Sequence, residues 1–245
     1  MGKTILIPLP DRDFDVTEVA VPWREFTRAG HTVVFATEKG ATPAADPLLL
    51  TGVIFGQLGA EPEPVRFYRE MERDPRFRAP IGWSDIDVGA VDALFLPGGH
   101  APGMRQYLGG EALHARVADL WKRGVPVGAI CHGVLVLARA KDASGRSLLY
   151  DRRTTCLPKY MERTAWMLTA WKLGDYYRTY RAYVEDEVRA ALASPSQFVR
   201  GPVSLVARGT ATDDRAAFCV EDDRYVSARW PGDAYLIAKR FLARL

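Results

Sequence analysis

The chain has 245 residues, of which 48% are hydrophobic and 26% charged, and its formal net charge is +3. This length is enough for one sizeable hydrophobic core, and the composition is ordinary for a globular enzyme. The small net charge, with arginines scattered along the chain, gives no support for nucleic-acid binding. No apolar run is long enough to cross a membrane, and the run that ends at Pro8 is too short for a secretory signal.

The opening of the chain predicts a β-α-β unit. Residues 3–9 are a continuous apolar run, and residues 31–37 alternate and are rich in β-branched side chains, so both predict strands. Between them a helix is predicted over residues 17–29, with Asp15 or Thr17 as its N-cap and Gly30 closing it. A strand, a helix and a second strand in this order predict a parallel sheet with helices on both faces.

The next segment predicts an insertion followed by another core strand. Residues 48–80 are helix-prone but interrupted by Pro62, Pro64 and Pro75, which predicts an insertion over the sheet edge. Residues 91–97 then predict a buried strand, and Gly98 and Gly99 follow it directly. A double glycine at this end of a strand lets backbone N–H groups turn toward the crevice where α/β sheets bind ligands. Such groups can stabilise an oxyanion.

Cys131 lies where a strand is expected to run straight into a helix. Residues 125–130 predict a buried strand and residues 132–140 a helix, which is the arrangement of a nucleophile elbow. The free N–H groups and the dipole of the helix predict that thiolate is favoured over thiol. His132 is the candidate proton carrier. Gly128 and Gly133 flank the elbow and lack the Cβ that a tight turn would exclude.

The remainder of the chain predicts a second insertion and a closing β-α unit. Residues 144–156 predict a loop and hairpin, residues 159–173 a helix, and residues 175–192 a polar, tyrosine-rich segment that is also helical, within an insertion over residues 150–201. Its aromatic residues are expected to pack in the core or at an interface, and the alternative is that they cover a pocket. Residues 218–227 predict two strands around an acidic turn, and a final helix begins near Pro231. The three cysteines, Cys131, Cys156 and Cys219, predict free thiols in a reducing cytoplasm.

Three motifs in this order resemble the ThiJ/PfpI superfamily, which is class I glutamine amidotransferase-like. They are Pro97-Gly98-Gly99-His100, Ala129-Ile130-Cys131-His132-Gly133, and the closing Tyr225-Val226-Ser227-Ala228-Arg229-Trp230-Pro231-Gly232-Asp233-Ala234. The elbow and the Pro-Gly-Gly-His turn are most similar to the heat-shock protein 31 and glyoxalase III-like branch. The resemblance implies an α/β fold, a flavodoxin-like three-layer sandwich with a mostly parallel central sheet and a nucleophile elbow. It also implies one domain over residues 1–245, with insertions at about 48–80 and 150–201, and a homodimer.

The resemblance also implies roles for four catalytic side chains. Cys131 matches the family's elbow nucleophile and His132 the histidine that follows it. Glu18 falls in the place of a glutamate on the first helix that holds or moves a proton near the sulfur. Glu162 is the candidate acid that would orient His132. From the residues alone, Glu18 is equally a residue favoured by a helix dipole, and Glu162 is equally a solvated helix residue.

A second group of residues matches the family's oxyanion and substrate-binding site. Gly98, Gly99 and His100 lie on the strand-end turn, and the backbone N–H groups of Gly99 and His132 match the oxyanion donors. His100 is equally a histidine that only supports its loop. A glutamine amidotransferase would need a histidine far downstream of the cysteine. The histidines are His31, His100, His114 and His132, so that triad cannot form.

The sequence therefore predicts a cysteine enzyme that needs no cofactor and no metal. The expected substrate is a small reactive carbonyl, through a glyoxalase III-like conversion of methylglyoxal to lactate or through deglycation. Two alternatives remain open. One is a cysteine peptidase or amidase, because the same thiol, imidazole and acid serve acyl transfer. The other is a stress-related holding chaperone or redox sensor, in which Cys131 would be oxidised as a switch.

Overall fold

A computed structural model describes residues 2–53, 58–204 and 206–245 of the chain. Its described strands form a seven-stranded sheet and a separate two-stranded ladder. In chain order the strands are β1 (Thr4–Pro8), β2 (Arg12–Phe14), β3 (Thr32–Thr37), β4 (Ala44–Ala45), β5 (Ile81–Gly82), β6 (Ala93–Leu96), β7 (Val127–Ile130), β8 (Cys219–Asp222) and β9 (Tyr225–Ala228). The large sheet has the order β5-β3-β1-β6-β7-β9-β8 and is parallel except where β8 pairs with β9. The predicted mostly parallel α/β fold is confirmed.

Helices connect the strands and cover the sheet. They are α1 (Val16–Arg28), α2 (Pro47–Thr51), α3 (Pro62–Met71), α4 (Pro75–Arg78), α5 (Met104–Leu108), α6 (Glu111–Arg123), α7 (Val134–Arg139), α8 (Lys159–Leu173), α9 (Val184–Ala190) and α10 (Ala234–Leu242). A proline lies in the first turn of α2, α3 and α4, where its missing N–H costs nothing, so the prolines start these helices. None of the described helices is both long and apolar enough to cross a membrane.

The core around the central strands is built from interlocking aromatic rings. The ring of Phe26 on α1 lies 5.3 Å from that of Phe95 on β6 and 5.1 Å from that of Phe241 on α10. A Cβ on Gly128 would lie 2.7 Å from the Phe95 ring and 3.0 Å from the Phe241 ring. The absence of a side chain at Gly128 therefore makes room for this cluster, rather than for the elbow as the sequence suggested.

Most predicted elements are present, with two corrections in the second insertion. Helix α8 begins and ends where it was expected, and Asp15 caps α1. The predicted helix over residues 175–192 is reduced to α9, because the preceding turns are tied down by side chains. There the hydroxyls of Tyr176 and Tyr177 donate to the Asp46 carboxylate at 3.2 and 3.1 Å. The expected hairpin over residues 144–156 is also not formed, and the described bridges there are isolated pairs.

Candidate active site

The nucleophile elbow is present at the carboxyl end of β7. Cys131 has φ +58°, and residues Cys131–Gly133 form one turn of 3₁₀ helix that leads into α7. A non-glycine residue in this left-handed region is strained by about 1–3 kcal/mol, and such residues concentrate at functional sites. A Cβ on Gly133 would lie 2.2 Å from the carbonyl oxygen of Leu96 and 2.5 Å from that of Pro97. Gly133 is therefore required for the close approach of the elbow to the end of β6.

Glu18 reaches the elbow from the first turn of α1 and is fully buried. Its Oε2 accepts a 2.8 Å hydrogen bond from the Gly98 N–H, and its Oε1 is buried without a hydrogen-bond partner among the described residues. Cys131 lies close enough to Glu18 that each group affects the pKa of the other. The helix presents Glu18 in this way because Asp15 caps it, accepting from the N–H groups of Thr17 and Glu18 at 2.8 and 3.1 Å. Burial, together with the nearby Asp15, raises the pKa of Glu18 well above its usual value, which favours the protonated carboxyl.

The sulfur of Cys131 is enclosed on all sides in this conformation. Cys131 has no solvent exposure, and its Sγ lies 3.5 Å from Nδ1 of His132. Burial raises the pKa of the Cys131 thiol well above its usual value, and the carboxyls of Glu18 and Asp15 raise it further. The backbone N–H of His132 lowers this pKa, but it is the smaller effect. The expectation of a resting thiolate is therefore corrected to a resting thiol, because desolvation outweighs the field of the helix end.

The hydrogen bonds around His132 define its tautomer. Its Nε2 lies 3.2 Å from Oγ1 of Thr179, and the Thr179 hydroxyl donates to the carbonyl oxygen of His100 at 2.5 Å. Because a carbonyl can only accept, Thr179 must use its own proton there and accept from Nε2–H of His132. Nδ1 is then left as an acceptor facing the Cys131 thiol. Burial lowers the pKa of His132 well below its usual value, so the ring is neutral and can take a proton.

Glu162 does not take the place that the sequence predicted for it. Its Oε2 accepts from the Val184 N–H at 3.0 Å, and its Oε1 lies 3.6 Å from Nη1 of Arg178. It therefore joins the start of α8 to the start of α9, while Thr179 contacts His132 instead. Burial raises the pKa of Glu162 to about 7. The predicted role as the partner of His132 is thus replaced by a structural contact between two helices.

The strand-end turn contributes differently at each of its three predicted residues. The Gly98 N–H is donated to Glu18, so it positions the carboxyl and is not free for an oxyanion. A Cβ on Gly98 would lie 2.7 Å from the backbone nitrogen of His132, and one on Gly99 would lie 2.9 Å from the Asp13 carbonyl oxygen. Both glycines therefore allow close backbone approach. The His100 ring packs edge-on against His132, with centroids 4.8 Å apart, and burial lowers its pKa to about 4.

A cleft of about 390 Å³ opens beside the elbow. Asp15, His100 and Tyr177 line it, whereas Cys131 does not. His100 borders both the cleft and the elbow, because it lines the cleft, packs on His132 and has a ring nitrogen within 4.8 Å of the Cys131 sulfur. Among the described residues, Nε2 of His100 is buried without a hydrogen-bond partner. The geometry therefore gives a buried thiol with a cleft nearby, and His100 adjoins both of them.

Comparison with known proteins identifies the family. Residues 9–202 match the family described as ThiJ/PfpI family-like. The chain belongs to this ThiJ/PfpI-like family. An uncharacterised protein of Schizosaccharomyces pombe is 29% identical over 243 residues, covering 95% of this chain and 80% of that protein. Protein/nucleic acid deglycase 2 of Escherichia coli is 29% identical over 149 residues, covering 60% of this chain and 70% of its own.

The similarity extends to solved structures of the ThiJ/PfpI type. Glyoxalase III from Candida albicans superposes with a TM-score of 0.71 over 99% of this chain and 97% of that one, at 18% identity. At this identity the likeness establishes the fold, which confirms the flavodoxin-like α/β architecture. The relatives include proteins named as glyoxalase and deglycase, while the reaction of the present chain is a separate question.

Sequence reasoning missed Thr179 and Asp15 as parts of this ThiJ/PfpI-like site. Thr179 lies in the tyrosine-rich segment that was predicted as helix, and no local motif marked it. Asp15 was assigned only as a helix cap, although burial also raises its pKa to about 6. Among the described residues, His100, Cys131 and His132 form a cluster whose ligand atoms lie within 4.8 Å of one another and could hold a metal ion.

Proposed function

We propose that this ThiJ/PfpI-like protein is a cofactor-independent cysteine enzyme that converts a 2-oxoaldehyde, such as methylglyoxal, into the corresponding 2-hydroxy acid. The observation that carries the proposal is a buried thiol close to both a buried carboxyl and a neutral imidazole. Glu18 and Cys131 affect the pKa of each other, and Nδ1 of His132 lies 3.5 Å from the Cys131 sulfur. A proton acceptor and a proton donor on either side of a nucleophile are what addition to an aldehyde requires.

The first step generates and uses the nucleophile. Nδ1 of His132 takes the proton of the Cys131 thiol as the sulfur attacks the aldehyde carbon. A C–S bond forms, the carbonyl π bond breaks, and its electron pair moves to oxygen. The backbone N–H groups of Gly99 and His132 are the proposed donors to this oxygen. Losing one such donor typically costs about 10²–10³ in rate.

The second step moves hydrogen between the two adjacent carbons. Glu18 first gives its own proton to the oxygen formed in the first step, and its carboxylate then takes the proton from the former aldehyde carbon. It delivers this proton to the neighbouring carbon while the hydroxyl proton passes to the neighbouring oxygen, so the aldehyde carbon is oxidised and the ketone carbon is reduced. The product bound to Cys131 is a thioester of the hydroxy acid. Water then breaks the C–S bond and restores the thiol. The sum is one oxoaldehyde plus one water giving one hydroxy acid, so no external oxidant or reductant is needed.

The burial of Cys131 bears on the alternative functions. A peptidase must bring a backbone carbonyl to its nucleophile, and an enclosed sulfur disfavours so large a group. Deglycation is the second candidate, and it is supported by the name of the Escherichia coli relative. We further propose, from the family resemblance, that the protein is a homodimer in the cytoplasm. Light scattering on the purified protein tests the first of these statements, and fractionation of the source cells tests the second.

The deciding experiment measures lactate formed from methylglyoxal by the purified protein. The matched pair of variants is Cys131→Ser and Cys219→Ser, since Cys219 is a partly exposed cysteine on β8 outside the site. We expect lactate formation to be lost with Cys131→Ser and retained with Cys219→Ser. Equal turnover by the wild type and Cys131→Ser would refute the proposal. Release of free amine from a glycated peptide without any lactate would favour the second candidate.

A further inference from the structure

The cleft beside the elbow is much larger than the smallest substrate of the proposed reaction. Its volume is about 390 Å³. Methylglyoxal has five heavy atoms, which occupy on the order of 140 Å³ if each takes slightly less than the roughly 30 Å³ of a liquid water molecule. About two thirds of the space would then remain empty or filled with water. Ligand pockets of this size normally surround most of the ligand they bind.

The outer part of the cleft is apolar. Large hydrophobic side chains among its described lining residues are Leu49, Leu157, Met161, Leu168 and Trp230. Two of its polar side chains have partners within the protein. The Thr169 hydroxyl donates to the Ala165 carbonyl oxygen at 2.8 Å, and the Arg208 guanidinium stacks on Trp230 at 4.8 Å from the ring centre and pairs with Glu61 at 3.8 Å. This wall is therefore largely apolar, with Thr164 and Arg208 as further polar groups.

The inner end of the cleft is polar and adjoins the reactive centre. Asp15 and Thr17 line it at the start of α1, next to Glu18, and His100 lines it next to His132. The Tyr177 ring packs edge-on against His100, with centroids 5.9 Å apart. A molecule in the cleft would therefore meet polar groups at the end nearest Cys131 and apolar groups along the rest of its length.

We infer that the substrates are 2-oxoaldehydes with an extended apolar tail, in which the dicarbonyl head passes His100 to Cys131 and the tail lies against α8 and Trp230. This inference rests on the proposed function and names the substrate class of the same site. The remaining volume fits on the order of ten further heavy atoms at the same volume per atom. A tail of about six to eight carbons uses that volume, whereas the single methyl of methylglyoxal does not.

The chain-length dependence of the reaction follows from burial of methylene groups. Each buried methylene tightens binding by about fourfold. We therefore expect kcat/KM to rise about two- to fourfold for each carbon added to the tail, over a series from methylglyoxal to hexylglyoxal. The measurement is formation of the matching 2-hydroxy acid by the wild-type protein. A flat or falling series, with methylglyoxal turned over best, would overturn the inference while leaving the proposed function intact.

Two neighbouring residues on α8 provide a matched pair of variants. Leu168 and Met167 are 52% and 60% exposed, and Leu168 lines the cleft whereas Met167 does not. We expect Leu168→Gln to lower the ratio of kcat/KM for hexylglyoxal to that for methylglyoxal by about fivefold or more, and Met167→Gln to leave this ratio unchanged. Equal ratios in the two variants would contradict a tail site on α8.

A binding measurement separates failure of the inference from failure of the proposed reaction. The probes are lactate, 2-hydroxyhexanoate and 2-hydroxyoctanoate, titrated calorimetrically into the Cys131→Ser protein. We expect the dissociation constant to fall at least tenfold from lactate to 2-hydroxyoctanoate. If it does so while the wild type turns over no oxoaldehyde, the reaction is refuted and the apolar site stands. If affinity does not depend on chain length, the apolar tail site is refuted whatever the activity.

Discussion

Replacing Glu18 by glutamine isolates the proton-transfer role of the carboxyl from its structural role. The Gln side chain keeps an oxygen that can accept the Gly98 N–H, which the wild type donates to Glu18 at 2.8 Å. It cannot hold or release a proton. General acid–base catalysis by a positioned side chain contributes about 10²–10⁴ in rate, so we expect kcat/KM for the oxoaldehyde to fall by about that factor. Because the acceptor is retained, the free energy of unfolding should change by less than about 1 kcal/mol.

Replacing Glu18 by alanine gives the contrasting case. The buried Gly98 N–H then has no acceptor, and an unsatisfied buried donor costs about 1–3 kcal/mol. We expect Glu18→Ala to lose both activity and stability, whereas Glu18→Gln loses activity alone. Glu25→Gln is the matched control, since Glu25 is a partly exposed residue of the same helix that pairs with Arg28.

The assays are steady-state kinetics of hydroxy-acid formation and urea unfolding, both on purified variants. If Glu18→Gln keeps activity within about threefold of the wild type, then Glu18 carries no proton in the reaction and the mechanism above is wrong. If Glu18→Gln is instead as unstable as Glu18→Ala, the activity loss cannot be assigned to chemistry. Unchanged kinetics in Glu25→Gln show that the loss is specific to the buried carboxyl.

Three further outcomes follow from the contacts of the site. Thr179→Val should lower kcat about 10- to 100-fold, because it leaves the buried Nε2–H of His132 without an acceptor and such an unsatisfied donor costs about 1–3 kcal/mol. Thr179→Ser should restore kcat. Equal rates in both variants would exclude a positioning role for Thr179. His100→Ala should speed alkylation of Cys131 by iodoacetamide about 3- to 10-fold, since the packed ring no longer has to be displaced, with the Cys219 rate in the same sample as the control. The pKa of Glu162 is raised from 4.5 to about 7, so the stability that its neutral form contributes is complete below pH 4.5 and is lost as the pH rises through 7. Between pH 5 and 8 the wild type should therefore lose about 2–3 kcal/mol of unfolding free energy relative to Glu162→Gln, measured by urea unfolding, and a difference independent of pH would contradict the assignment.

Much of the fold could be predicted because local patterns and long-range packing agree in the central sheet. The strands are short apolar runs with little choice of structure, and Asp15, Gly30 and Gly124 mark helix ends through their own chemistry. The segment over residues 175–183 was wrongly predicted as helix because its conformation depends on a distant partner. The carboxylate of Asp46, which caps α2, accepts from the hydroxyls of Tyr176 and Tyr177, and no local pattern reports such a contact.

The candidate site likewise contains residues that sequence reasoning could locate and residues whose position depends on distant contacts. Cys131 and its elbow could be located from the strand–helix boundary, and Glu18 from the family resemblance. The partner of His132 could not be located, because Glu162 and Thr179 lie in the same insertion and only the path of the chain decides which of them contacts the His132 ring. Once Thr179 donates to the His100 carbonyl oxygen, Nε2 of His132 is satisfied without any carboxylate. A neutral hydroxyl there also leaves the neighbourhood without a further buried charge.

The charge state of the site favours an enzyme over a redox sensor. Burial shifts the pKa of each central group toward its neutral form, upward for Cys131 and Glu18 and downward for His132. A neutral thiol is a poor target for peroxide and for general alkylating agents, because both react with thiolate. Charge separation between Cys131 and His132 becomes favourable only when an electrophilic carbon is present to take the electron pair of the sulfur. In the proposed mechanism, such a centre stays unreactive toward the surrounding solution and reacts with a carbonyl that enters from the cleft.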